Sequence, residues 1–417
     1  MKLSKLRQLF LVSLIGLIAA SLLTACQIIT IDYIFVASSA GSGVSSNGVI
    51  DVFAADSETG ALRTAIAPIS SGGSEPVAMA VSSNYQHLYV ANQASNNVVH
   101  FTIANNGELS LKDTLVLSSE GTVPVSIAVN AAGTRLFVLS SQLPGKVAGA
   151  ALAVFPLTSD GAIGSPIGNG SLKYWPLTVP GYGSDVIVPT GITSTANNDA
   201  VYATVYDQSA YNPGGSTTST ANPGWVFGFN VSSSGSLSQA SGSPFEAGVK
   251  PTAVICDPTN RFAYVTDYAS NELIGYTLQS GNALNFMING PFKTGNEPQA
   301  VTIDPRGKYI YVANALDSTV SAYAIDLSTG TPSVAINPTG SANNLTDTQP
   351  VSILVDAALG RFVYTANQLG NSVSGFQLNP NTGNLSGTQS TPYPSSANPT
   401  AIASVPHGSH STQSVTP

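Results

Sequence analysis

Seven prolines recur along the chain, at positions 76, 124, 189, 251, 298, 350 and 399. The residues just before them are Glu75, Val123, Val188, Lys250, Glu297, Gln349 and Asn398. Two carboxylates, a cation and two amides at equivalent places could do two kinds of chemistry if a fold gathered them. Clustered carboxylates hold a cation or steer a charged ligand through their field. A carboxylate beside an amine, Glu297 or Glu75 beside Lys250, supplies a base and a charge stabiliser for acyl hydrolysis, provided their pKa values are shifted. Asn92, Asp267, Asn314 and Asn367 close another recurring run. They would add polar groups to the same region, or simply cap the turns that follow them.

The other chemically capable residues point away from catalysis. Of the four histidines, His407 and His410 lie in the last eleven residues, and His100 lies in an apolar run remote from the prolines. His87 occupies a place taken in other repeats by Arg135, Lys308 and Arg361, and is expected to solvate a turn. Cys256 stands where other repeats carry Val81, Val129 and Ile303, and reads as a buried apolar thiol. No Cys-x-x-Cys or His-x-x-x-His spacing occurs, so neither metal nor cofactor is expected.

The elements that must position these residues are strands. Pro298 to Asn314, PQAVTIDPRGKYIYVAN, is the repeating unit: an alternating apolar run, a Pro-Arg-Gly turn and a second β-rich run. Period-two alternation broken by Gly and Pro predicts two antiparallel strands. The second strands include Leu88-Tyr89-Val90-Ala91-Asn92 and Ile310-Tyr311-Val312-Ala313-Asn314. Third strands such as Val98–Ile103 follow, and Gly turns such as Asn106-Gly107-Glu108 lead to a short fourth. Repeats spaced 47 to 65 residues apart and built only of strands predict a propeller.

The chain enters this pattern midway. Ile34-Phe35-Val36-Ala37-Ser38 matches a second strand, and Pro399-Thr400-Ala401-Ile402-Ala403 is a first strand with no successor. The two fragments complete one unit. The prediction is therefore all-β: seven four-stranded antiparallel blades, with the ring closed by pairing the N-terminal strands with the C-terminal strand. Two residues past each proline the side chain is small, as in Ala78, Gly191 and Ala300; the next is large and apolar, as in Met79, Ile192 and Val301. Converging sheets require that thin side and that bulky side.

Two stretches, 164–188 and 206–224, interrupt the period. One joins a fourth strand to a first, the other a second to a third, and these connections emerge on one face of a propeller. Both insertions, with Tyr206, Tyr211 and Trp225, are expected to decorate the mouth ringed by the pre-proline residues, as adaptable loops bearing aromatic contacts.

Residues 1–25 have a basic start and an apolar run that fit a secretory leader. Leu23-Thr24-Ala25-Cys26 resembles the bacterial lipobox, which implies cleavage before Cys26 and lipid attachment to its sulfur. Residues 26–32 would then be a short tether, 33–406 the propeller and 407–417 an unstructured tail. Gln27 after the cysteine favours the outer membrane in a Gram-negative envelope. Since the chain enters through a second strand, the lipid would tether the face opposite the insertions. Removing the leader takes the net charge from −8 to −11. An acidic, arginine-poor body is a poor partner for nucleic acid.

The YVAN strands at 88–92 and 310–314 and the proline-anchored strands resemble the seven-bladed lactonase-type propellers, the YVTN repeat family. The resemblance covers about residues 33–405. It implies the propeller fold, and it implies a 6-phosphogluconolactonase-like or muconate-lactonizing enzyme or a surface protein of unknown role. Enzymatic relatives are expected to place His, Glu and Arg near the channel mouth, whereas no histidine lies in any of the seven first strands here. The sequence thus favours a lipid-anchored envelope module that binds a small molecule or protein through its insertion-side face. A sugar lactonase using Lys250 with Glu297 or Glu75 is the alternative.

Overall fold

The computed structural model describes residues 29–39, 47–168, 172–182, 187–209, 223–335 and 343–407. The leader, Cys26, Tyr211, most of the second insertion and the tail after His407 lie outside the described residues. Within them the chain forms seven antiparallel sheets. Numbered from the first complete unit, the blades begin with the innermost strands Pro76–Val81, Pro124–Val129, Ile187–Ser194, Pro251–Cys256, Pro298–Ile303 and Pro350–Val355. Blade 7 is composite. Its innermost strand Pro399–Pro406 pairs with Thr30–Ser38, with Phe35 opposite Ala403. Val49–Asp56 and Leu62–Ser70 complete that sheet. In blades 3 to 6 the outer strand is broken into two short pieces that both pair with the third strand, as Leu284–Phe286 and Phe292–Lys293 do.

The first insertion is shorter than the sequence suggested. Tyr174–Leu177 is the outer strand of blade 2, pairing with Ala150–Ala153, and the innermost strand of blade 3 begins at Ile187, ahead of its proline. Val188 and Tyr206 are cross-strand partners there, so both insertions leave from the same extended hairpin.

The apolar core lies in the seams. Seven clusters of buried side chains each join two neighbouring blades, for example Tyr309, Tyr311 and Ala313 with Ile353, Val363 and Phe376. The tyrosine of the repeated strand fastens each seam it occupies. Tyr89, Tyr264, Tyr311 and Tyr364 donate their hydroxyls to the carbonyls of Gly161, Gly330, Gly383 and Gly60, each in the turn before the next blade's outer strand. Each glycine there has positive φ, and its missing side chain makes room for the preceding blade; a Cβ on Gly383 would lie 2.3 Å from the Tyr309 ring.

The innermost strands share a bulge. Pro298 faces Asn314, yet Ala300 faces Ala313, so Gln299 has no partner. The same slip follows Pro76, Pro124, Pro251 and Pro350. A bulge re-aims the extra residue, and here it turns the residue after each proline into the axial channel. The small residue that follows faces the next blade: a Cβ on Gly191 would lie 3.0 Å from both the Cα of Ala253 and the carbonyl of Thr252.

Candidate functional site

The ring before the prolines is held by backbone hydrogen bonds. The N–H of the residue after each strand end donates to the pre-proline carbonyl: Gln93 to Glu75, Ser141 to Val123, Tyr268 to Lys250, Ala315 to Glu297 and Gln368 to Gln349. Glu75, Glu297, Gln349 and Asn398 adopt left-handed backbone, with φ of 56°, 55°, 60° and 52°. This is an uncommon conformation for residues with a side chain, and it recurs at functional loops and tight turns.

One part of the ring is chemically distinct. The half-buried Lys250 ammonium lies 4.0 Å from the ring centroid of Tyr268 and 5.7 Å from that of Tyr206. Aromatic faces attract cations at such distances. Burial draws the Lys250 pKa below the ordinary lysine value, and the charge of Glu297 on the next blade opposes that shift. The sequence left Glu75 and Glu297 as alternative partners. The carboxylate whose charge acts on Lys250 is Glu297, whereas Glu75 is exposed on blade 1, three blades away around the ring.

Asp267 plays a supporting part. It is fully buried, and its carboxylate accepts the backbone N–H groups of Val249 (2.8 Å), Lys250 (2.9 Å) and Ala269 (3.1 Å). It fixes the segment that presents Lys250. Asn92, Asn314 and Asn367 are likewise buried; the Asn367 amide donates to the hydroxyls of Ser372 and Ser374. Asp267 caps its turn through the N–H groups of Ala269 and Ser270, whereas the asparagine amides tie the second strand to side chains of the third. Trp225 is a strand residue in the seam with blade 2, stacked edge-on against Tyr182 at 4.7 Å, and is buried rather than displayed. Gln349 and Asn398 are half-buried on the ring, each with its backbone N–H bonded to a side chain of a neighbouring turn.

Sequence reasoning missed Tyr268. Its signal was an aromatic residue directly after a strand end, where other repeats have Gln93, Ala315 and Gln368. It also missed the lining of the axial channel, a cavity of about 360 Å³. The residues turned inward by the bulges are Val77, Val125, Thr190, Thr252, Gln299, Val351 and Thr400. The three threonine hydroxyls are taken up by the carbonyls of the next blades' prolines: Thr190 to Pro251 and Thr252 to Pro298 at 2.8 Å, and Thr400 to Pro76 at 2.6 Å. Gln299, Gln368, Ser126 and Ser352 are the other polar side chains of the lining, and none of the described lining residues is charged.

His87 does not solvate a turn. It is buried, with Nδ1 3.0 Å from His100 Nε2, and His100 Nδ1 lies 3.1 Å from Asp113 Oδ2. The blade 2 turn at Gly161 covers the pair, because strand alternation carries His87 toward the seam. Cys256 is a free thiol whose pKa burial pushes up. Among the described residues no group of three or more His, Cys, Asp or Glu side chains is placed to hold a metal ion.

A family model described as lactonase, seven-bladed β-propeller matches residues 29–129 and 238–409, well over half of the chain. The chain belongs to this family. The lactonase-family fold is also found in the periplasmic gluconolactonase of Pseudomonas aeruginosa, which is 17% identical with a TM-score of 0.71, covering 91% of this chain and 100% of that one. A candidate 6-phosphogluconolactonase from Bacteroides fragilis is 16% identical with a TM-score of 0.69, over 91% and 99% of the two chains. A protein from Lactobacillus plantarum is 18% identical with a TM-score of 0.68, over 90% and 99%. No curated protein matches the chain. At these identities the structural likeness carries the fold alone. The unmatched stretch, 130–237, contains both insertions.

Proposed function

We propose that this lactonase-family propeller is a lipid-anchored envelope protein that binds a small polyhydroxylated or anionic ligand at its insertion-side mouth. The observation that carries the reading is Lys250 held against Tyr268 and Tyr206, in the field of Glu297, over a channel whose described lining is uncharged. Tyrosine faces stack on sugar rings, and a half-desolvated ammonium holds a carboxylate or hydroxyl more strongly than an exposed one. Titration calorimetry with gluconate should give saturable binding that Lys250→Ala abolishes. Binding unchanged by Lys250→Ala would remove the site. Cys26 would carry the lipid, and Cys26→Ser should move the protein from the membrane to the soluble fraction.

Hydrolysis of a sugar lactone is the second reading, favoured by family membership. Glu297 would take a proton from water as it attacks the lactone carbonyl. Lys250 would stabilise the oxyanion, and the ring oxygen would leave as the hydroxyl of the open acid. Saturable hydrolysis of gluconolactone, lost in Glu297→Gln, would establish this reading over simple binding.

A further inference from the structure

We propose that Asp32 and Asp356 hold one shared proton at neutral pH, and that this proton latches blade 7 onto blade 6, so that ring closure weakens as pH rises. Asp32 lies in the second strand of blade 7 and Asp356 at the end of the innermost strand of blade 6; their exposures are 0% and 1%. Both carboxyls dock on one turn, residues 356–362: Asp32 accepts from Ala358, and Asp356 from the four residues Leu359 to Phe362. The carboxylate of Asp356 is already committed. Its Oδ2 accepts the N–H groups of Leu359 (2.8 Å) and Gly360 (3.1 Å), and its Oδ1 accepts those of Phe362 (2.6 Å) and Arg361. Burial raises the Asp356 pKa, and these four donors oppose that rise by favouring its anionic form. Asp32 has one donor, the N–H of Ala358 at 3.2 Å on Oδ1, while its buried Oδ2 meets none.

Among the described residues, the other titratable groups acting on Asp32 are phenols, Tyr364 of blade 6 and Tyr85 of blade 1, and the Tyr364 hydroxyl is donated to Gly60. Two neighbouring buried carboxylates cannot readily both ionise. A proton on Asp32 Oδ2 removes one charge and turns an unpaired acceptor into a donor toward Asp356. Burial, then the Asp356 charge, hold the Asp32 carboxyl well above the usual carboxylate range. The folded chain keeps a proton that the unfolded chain releases above about pH 4. The latch is complete at low pH and is lost as pH rises through the folded-state pKa, at about tenfold in the folding equilibrium per pH unit.

The test is urea unfolding of the propeller between pH 5 and 9, with infrared spectra of the folded protein. Asp32→Asn mimics the protonated form. It should fold, match or exceed the wild type in stability, and remove the alkaline slope; Asp356→Asn should be destabilised at every pH, because an amide cannot accept four N–H groups. The wild type should show a protonated-carboxyl band at neutral pH that is missing in Asp32→Asn. Parallel pH profiles for wild type and Asp32→Asn, equal damage from both substitutions, or a wild-type spectrum without the band would each overturn the proposal.

Discussion

At the residue scale, single polar atoms decide what the seams and the mouth can do. The hydroxyl of the fully buried Tyr311 donates to the Gly383 carbonyl at 2.9 Å inside a seam. Tyr311→Phe should therefore cost about 1–3 kcal/mol, the range for leaving a buried acceptor unpaired, measured by urea unfolding. It should not disturb the fold, because Phe35 and Phe137 already occupy the equivalent place in blades 7 and 2. His87 makes a different prediction. Burial, then the neighbouring His100, lower its pKa, against weaker pulls from Asp160 and Asp113 and with Lys112 adding to the lowering. The folded chain thus binds fewer protons than the unfolded one below about pH 6.5, and stability is lost as pH falls. Relative to His87→Gln, which lacks this titration, the wild type should lose stability between pH 7 and 5.5, read as the difference between their urea midpoints; a constant difference would exclude it. The sequence placed His87 at the start of a strand but not inside a seam, because burial there comes from the Gly161 turn of the next blade, 74 residues on.

At the scale of the element, the innermost strand does two jobs with three consecutive residues. The bulge sends the first into the channel, the second meets the neighbouring blade and the third fills the wedge. Gly191 is the tightest case, and Gly191→Val should destabilise by about 1–3 kcal/mol through overpacking against the Thr252–Ala253 backbone. A melting curve of Gly191→Val beside Ser194→Val, at the far end of the same strand, checks this; equal effects would mean that the contact is not the cause. The alternation of small and large was readable in the sequence, and so were the second strands and most turns. The bulge was not, since nothing in Pro-Gln-Ala or Pro-Thr-Ala states that the middle residue loses its partner. That slip is also why the channel lining went unrecognised.

For the whole molecule, stability is distributed around a ring. Each blade rests on two neighbours, and the last strand, Pro399–Pro406, closes the ring by pairing with Thr30–Ser38. A chain ending at residue 398 would expose the edge of the blade 7 strand and the flanks of blades 1 and 6 together. It should lose cooperative thermal unfolding, whereas a chain ending at 407 should melt as the full protein does. A sharp, unshifted transition in the shorter chain would show that the ring does not depend on its closure.

Period, turn chemistry and the taper of side-chain size are local properties, written in neighbouring residues. From them the sequence by itself determined seven blades, a composite seventh and the face on which the pre-proline ring lies. Which polar groups work together depends on distances between residues far apart in the chain. The tertiary structure alone put Lys250 in the field of Glu297 rather than Glu75, set it against Tyr206 and Tyr268, and hid Asp267 and Trp225. The reason is physical: a side chain's environment is made by the neighbouring blade, and only closure of the ring fixes what that neighbour presents.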